Sequence, residues 1–259
     1  MVRVCVLFAA GTNCDQETVH ALELAGAAAT TVHVNEFRNK RANLKDFHAL
    51  VVPGGFSYGD YIASGKILAG ELVRYMKDDI SEFHAAGKPI LGICNGFQVL
   101  VKSGLLPAFD HLFEEQTVTL DWNDSGRYED RWVRLQTAGT SCVFTQGLPE
   151  TILLPVAHAE GKFIPKNRPA LDRLQKRAQI VFRYVGPHGQ TAGYPDNPNG
   201  SVGGVAAICD PSGLIMGMMP HPERFVYTHQ HPHWHRRRSA SADGITIFEN
   251  AVKYAKQNL

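Results

Sequence analysis

The chain opens on an almost unbroken apolar run over residues 2–8, interrupted only by Arg3, which predicts a strand covered on both faces of a parallel sheet. Gly11, Thr12 and Asn13 then turn the chain. Asn13 caps a predicted helix that carries Asp15 and Glu17 in its first turn, Val19, Leu22 and Ala25 on one face, and Gly26 as its stop. Strands follow at 30–34 and 49–52, the second ending abruptly in Pro53-Gly54-Gly55. Leu68, Leu72, Met76, Ile80 and Phe83 recur at spacings of three and four, which predicts one amphipathic helix over 66–86, the longest in the chain. A strand restarts at 90–93 after Lys88-Pro89. Strands alternating with helices predict an α/β fold, a doubly wound, mostly parallel sheet flanked by helices.

The period changes in the middle of the chain. Residues 117–122 and 131–136 alternate around Asn123-Asp124-Ser125-Gly126, which predicts an added antiparallel β hairpin. Short apolar segments at 152–157, 179–185, 202–209 and 214–219 read as further strands, and a helix over 243–256 turns Ile245, Phe248, Val252 and Ala255 inward. Without an internal repeat or a Pro- or Ser-rich linker, residues 1–259 read as a single domain. One oddity is a polar insertion at about 229–241, where His229, His231, His233 and His235 alternate and run into Arg236-Arg237-Arg238. On an extended strand those imidazoles would share a face and could hold a transition metal. A solvated loop or partner contact through the arginines is the simpler reading, and no metal site is assigned.

Composition narrows the function classes. With 26 Lys and Arg against 25 Asp and Glu, the net charge is +1, which implies no bulk nucleic-acid partner. No apolar run approaches the ~18 residues of a membrane helix and no cleavable leader is visible, which points to a cytoplasmic protein. Five cysteines, Cys5, Cys14, Cys94, Cys142 and Cys209, are odd in number and form no CxxC pair, so neither a disulfide framework nor a zinc site is read from them.

Three segments carry chemistry. Gly92-Ile93-Cys94-Asn95-Gly96 sits where a buried strand meets an apolar helix, the setting of a nucleophile elbow, with a thiol at a helix N-terminus that favours thiolate. The alternative is a buried core cysteine. His221-Pro222-Glu223 follows the strand at 214–219, and in extended geometry residues two apart point the same way, so Glu223 can orient His221 as a base for Cys94. Alone it would read as a surface turn. Pro53-Gly54-Gly55-Phe56-Ser57-Tyr58-Gly59-Asp60 closes another strand. A backbone N–H there, with that of Asn95, would make an oxyanion hole, and its glycines leave the loop free to be misaligned until a partner docks. A plain strand-to-helix turn is the alternative. No GxxxxGK[ST] phosphate loop occurs.

These residues, with Gly11-Thr12-Asn13-Cys14-Asp15, His158-Ala159-Glu160-Gly161-Lys162-Phe163 and Pro198-Asn199-Gly200-Ser201, resemble the class I (triad) glutamine amidotransferases over nearly the whole chain. Within them the chain is similar to the glutaminase subunits of purine biosynthesis. The resemblance implies Cys94 as nucleophile, His221 as base and Glu223 as orienting acid. It further implies an oxyanion hole at Gly55 and Asn95, with glutamine contacts near Gly54, Gln98, His158 and Glu160. It implies no cofactor in this chain. A separate synthetase would use ATP and magnesium to activate formylglycinamide ribonucleotide and receive the ammonia, and a small third subunit is left open. The alternatives are a glutaminase serving a different synthetase, or a non-amidotransferase cysteine hydrolase on the same fold.

Overall fold

The computed structural model describes residues 1–236 and 242–259. Along the chain run β1 (Arg3–Phe8), α1 (Asp15–Leu24), β2 (Ala28–His33), α2 (Val34–Arg38), β3 (Ala49–Val52), α3 (Lys66–Tyr75), α4 (Lys77–Ala85), β4 (Ile90–Ile93) and α5 (Asn95–Lys102). Then follow β5 (Val118–Asp121), β6 (Glu129–Thr137), β7 (Thr151–His158), β8 (Lys162–Pro165), α6 (Arg168–Lys176), β9 (Ile180–Val185), β10 (Val205–Cys209), β11 (Ile215–Met218) and α7 (Ile245–Asn258). The main sheet has the order β2-β1-β3-β4-β11-β10-β9-β6-β7. Its first five strands are mutually parallel, and from β10 onward each pairing is antiparallel.

The parallel half is built as its sequence demands. β3 and β4 are buried at every position and therefore apolar at every position. The step from β1 to β2 runs one way across the sheet and the steps to β3, β4 and β11 run the other. Right-handed crossovers then place the connecting helices on opposite faces. The contacts agree: α1 packs with α7, and α3 packs with α5. The reversal between β1 and β3 opens a crevice at the carboxyl ends of the strands, where open α/β sheets hold their ligands.

Several expectations need correction. The predicted helix over 66–86 is two helices broken at Met76 (φ −127°, ψ 6°), with Asp78 and Asp79 at the positive end of the second, and the longest helix is α7 instead. The apolar spacing survives the break, since Leu68, Leu72, Met76, Ile80 and Phe83 are all buried. Asn13 does not cap α1: Cys14 occupies the cap position, with no side-chain cap bond. The predicted hairpin is also wrong in its pairing. The turn is real, with Gly126 N–H donating to Asn123 O at 2.9 Å, but β5 pairs with β8 in a separate two-stranded sheet while β6 joins β7 and β9. Asn123 is the reason. It is buried and donates to Arg127 O and His158 O at 2.9 and 2.8 Å, so the turn is bound to the end of β7 rather than closing a ribbon.

The histidine-rich insertion forms no strand among the described residues. Short helical turns occupy Thr228–Gln230 and Trp234–Arg236, His229 stacks on Tyr227, and His231 is buried against Trp132. Its imidazoles therefore do not line one face of a strand, although the His231 and His233 rings stand 5.9 Å apart, and Arg237, Arg238 and the rest to 241 lie outside the described residues. Among the described residues no helix is long and apolar enough to cross a membrane.

Candidate active site

β4 ends in Cys94, whose backbone stands at φ 52°, ψ −105° before α5 begins at Asn95. A positive φ in a residue with a Cβ costs about 1–3 kcal/mol and persists only where the surroundings enforce it. The enforcement here is packing. A Cβ on Gly92 would lie 2.6 Å from Leu100 Cδ1, and one on Gly96 would run into Val52 O. Neither glycine has a positive φ, so their value lies in letting α5 ride against β3 and β4. Cys94 N–H donates to Met218 O at 2.7 Å, and Sγ lies 3.8 Å from Ala157 O.

His221 lies just beyond β11, which ends at Met218, and is fixed by its N–H, which donates to Pro155 O at 2.8 Å. It is extended, but Pro222–Arg224 form one helical turn, so Glu223 reaches the ring from that turn rather than along a strand. Nδ1 of His221 stands 2.6 Å from Glu223 Oε1, with both side chains buried. Burial, the largest single influence, lowers the proton affinity of His221; Glu223, Cys94 and contact with the Cys14 and Cys94 thiols outweigh it, and the net shift is well upward. Nε2 itself makes no hydrogen bond of acceptable geometry, although both thiols stand near the ring. Gly54 accommodates this cluster: a Cβ there would sit 2.9 Å from His221 Cε1 and 3.1 Å from Cys14 Sγ.

The loop after β3 is braced, contrary to the freedom expected of it. Asn13 and Cys14 N–H donate to Gly54 O at 3.4 and 3.2 Å, Phe56 N–H donates to Gly11 O and Tyr58 N–H to Ala10 O. Tyr58 OH donates to Glu71 at 2.5 Å, and Ser57 N–H donates to Asn95 Oδ1 at 3.2 Å. Its glycines serve close approach: Gly55, at φ 147°, lies so near the 11–13 backbone that a Cβ would stand 2.8 Å from Asn13 N. The Gly55 N–H takes no part in these bonds. The Asn95 N–H belongs to the first turn of α5, where amides lack intrahelical partners.

A cavity of about 340 Å³ opens between this loop and the end of β7, lined by Cys94, Gly55, Gln98, His158 and Glu160 together with Asp60, Ser64 and Trp122. Gly54, Asn95, His221 and Glu223 are not among its lining residues. Gln98 is buried and braced, accepting from Asn95 Nδ2 at 2.9 Å and donating to Glu160 O at 2.6 Å. His158 ends β7 and is buried. Burial first, then the charge on His221, pushes its pKa down to about 3, so it is neutral. Its Nδ1 faces Asn123 Oδ1 at 3.2 Å, an acceptor that calls for the proton there. Asp60 was not singled out from sequence. Its carboxyl is pushed up, mainly by burial, and accepts from Asn95 Nδ2 at 3.3 Å. Cys14 was missed as well, although Gly11-Thr12-Asn13-Cys14 marked the strand end that delivers it. A larger cavity, about 570 Å³ between Asp124 and Gly200, contains none of the predicted site residues.

Residues 1–255 match the CobB/CobQ-like glutamine amidotransferase domain family. The chain is 44% identical over 259 residues to phosphoribosylformylglycinamidine synthase subunit PurQ of Dehalococcoides mccartyi, covering 99% of this chain and 98% of that one. To the subunit of the same name from Archaeoglobus fulgidus it is 42% identical, with the same coverage. Among solved structures, the structure of PurLQS from Thermotoga maritima contains a chain that superposes with a TM-score of 0.74 at 29% identity, covering 98% of each.

Proposed function

The chain belongs to the CobB/CobQ-like glutamine amidotransferase family, and from that membership we infer that it is the glutaminase subunit of phosphoribosylformylglycinamidine synthase. What carries the reading is its correspondence, end to end, with relatives that bear that name. The Cys94, His221 and Glu223 cluster beside the cavity supports it from the side of chemistry.

In this reading Cys94 Sγ attacks the side-chain carboxamide carbon of glutamine. The backbone N–H groups of Gly55 and Asn95 receive the oxyanion. His221, held by Glu223, delivers the proton with which ammonia departs, then takes one from the water that hydrolyses the γ-glutamyl thioester to glutamate. Gly54 gives His221 its room, while Gln98, His158 and Glu160 shape the glutamine pocket. These steps ask for no cofactor in this chain. Ammonia passes to the synthetase subunit, where ATP and magnesium support conversion of formylglycinamide ribonucleotide to the amidine.

The test is Cys94→Ala in the reconstituted synthase. Glutamine-dependent turnover is expected to fall at least about a thousandfold, while ammonium salts still support synthesis because only ammonia delivery is lost. Persistent use of glutamine by this variant refutes the nucleophile; failure of any synthetase partner to accept ammonia from the wild-type chain refutes the pathway.

A further inference from the structure

Cys14 has no part in the reaction just described, yet it reaches into the same cluster. Its Sγ, a ring nitrogen of His221 and a carboxylate oxygen of Glu223 all lie within 4.8 Å of one another, and all three residues are buried. Nε2 of His221 and Oε2 of Glu223 are buried atoms without a hydrogen-bond partner. A thiol, an imidazole and a carboxylate make a donor set suited to zinc-type cations. At bond lengths of 2.0–2.3 Å, tetrahedral ligands stand roughly 3.3–3.8 Å apart, so closure asks for side-chain shifts of about an ångström.

From this geometry we infer that Cys14, His221 and Glu223 form a reversible binding site for a soft divalent cation, and that its occupancy switches the glutaminase off. The second half rests on His221 being the base. At Nε2 the cation blocks the proton acceptor; at Nδ1 it displaces the hydrogen bond to Glu223. Arg224 sets the strength of the site. Its guanidinium donates to Cys14 Sγ at 3.1 Å and opposes added positive charge, which suits a dissociable ion rather than a permanent structural one.

The experiment separates the site from the catalysis. Cobalt(II) is titrated into the full chain carrying Cys94→Ala, where Cys14 becomes the only thiol near His221 that can give sulfur-to-cobalt charge-transfer absorption. The band is expected in Cys94→Ala and lost on adding either Cys14→Ala or Cys14→Ser, two replacements that guard against a fold defect in one. Zinc inhibition of glutamine hydrolysis is then measured in Cys14→Ala against its own metal-free rate. Loss of a ligand's hydrogen-bonding partner already costs about 10- to 100-fold in affinity, so the half-inhibitory concentration should rise at least about tenfold. A band absent from Cys94→Ala, or one that survives both Cys14 replacements, overturns the site. Cobalt and zinc binding without inhibition overturns the switch and counts against His221 as the base.

Discussion

Two halves of one sheet meet at β11, which runs parallel to β4 on one side and antiparallel to β10 on the other, and they furnish the candidate site differently. The parallel half presents four neighbouring carboxyl ends: β1 leads to Cys14, β3 to the Gly54-Gly55 loop, β4 to Cys94 and β11 to His221. The antiparallel half gives mostly main-chain acceptors and a neutral wall, with Pro155 O holding His221, Ala157 O facing Cys94, and His158. Two histidines measure the contrast. His221 lies beside a carboxylate and has its proton affinity raised; His158, equally buried but faced by amides, is driven down to about 3. Burial is common to both, so the partner each half supplies decides the direction of the net shift.

If the parallel half holds the chemistry, the largest losses should come from its residues. His221→Asn is expected to slow thioester formation on the order of a millionfold, with Glu223→Gln about a hundredfold milder, because an unoriented imidazole is still a base. Rapid-quench trapping of the acyl enzyme measures both, and the reverse order would undo the division of roles. The antiparallel half should answer in stability first. Asn123→Ala removes two buried side-chain donors from carbonyls and an acceptor from His158 and Gly161 N–H, at about 1–3 kcal/mol for each group left unsatisfied. Urea denaturation of that variant reads the sum.

The pH profile sharpens the comparison further. His158 has a folded pKa below its unfolded value near 6.5, so its contribution is complete above that pH and is lost as pH falls toward about 3. His221, shifted upward, has the opposite sign: its contribution is full below 6.5 and fades as pH rises through the folded value. His158→Gln should therefore flatten the fall in unfolding free energy between about pH 6.5 and 3, and an unchanged acid limb would contradict a neutral His158. The smallest effect belongs to Gly126→Ala, which meets no neighbour within 4 Å but stands at φ 63°; about 1 kcal/mol is expected, by the same denaturation measurement.

The parallel half was legible because its signals are local. Continuous apolar runs at Ala49–Val52 and Ile90–Ile93 named their strands to the residue, and a cysteine framed by Gly92 and Gly96 announced the elbow. The antiparallel half was legible only as strands. Alternation at 117–122 and 131–136 says that each pairs with something, but carries no information about the partner.

What the sequence determined by itself was therefore the class of fold, and it offered Cys94, His221 and Glu223 as candidates, since strand ends, glycines and a His-Pro-Glu step are written in neighbouring positions. Their assembly was decided by tertiary structure. Cys14 and His221 are separated by 207 residues and come into contact because β1, β3, β4 and β11 lie near one another in one sheet. The pairing of β5 with β8, the bracing of the Gly54-Gly55 loop and the opposite shifts in proton affinity of two buried histidines follow from who lies beside whom. Local spacing cannot encode that, because hydrogen-bond partners and desolvation are set by the packed neighbours.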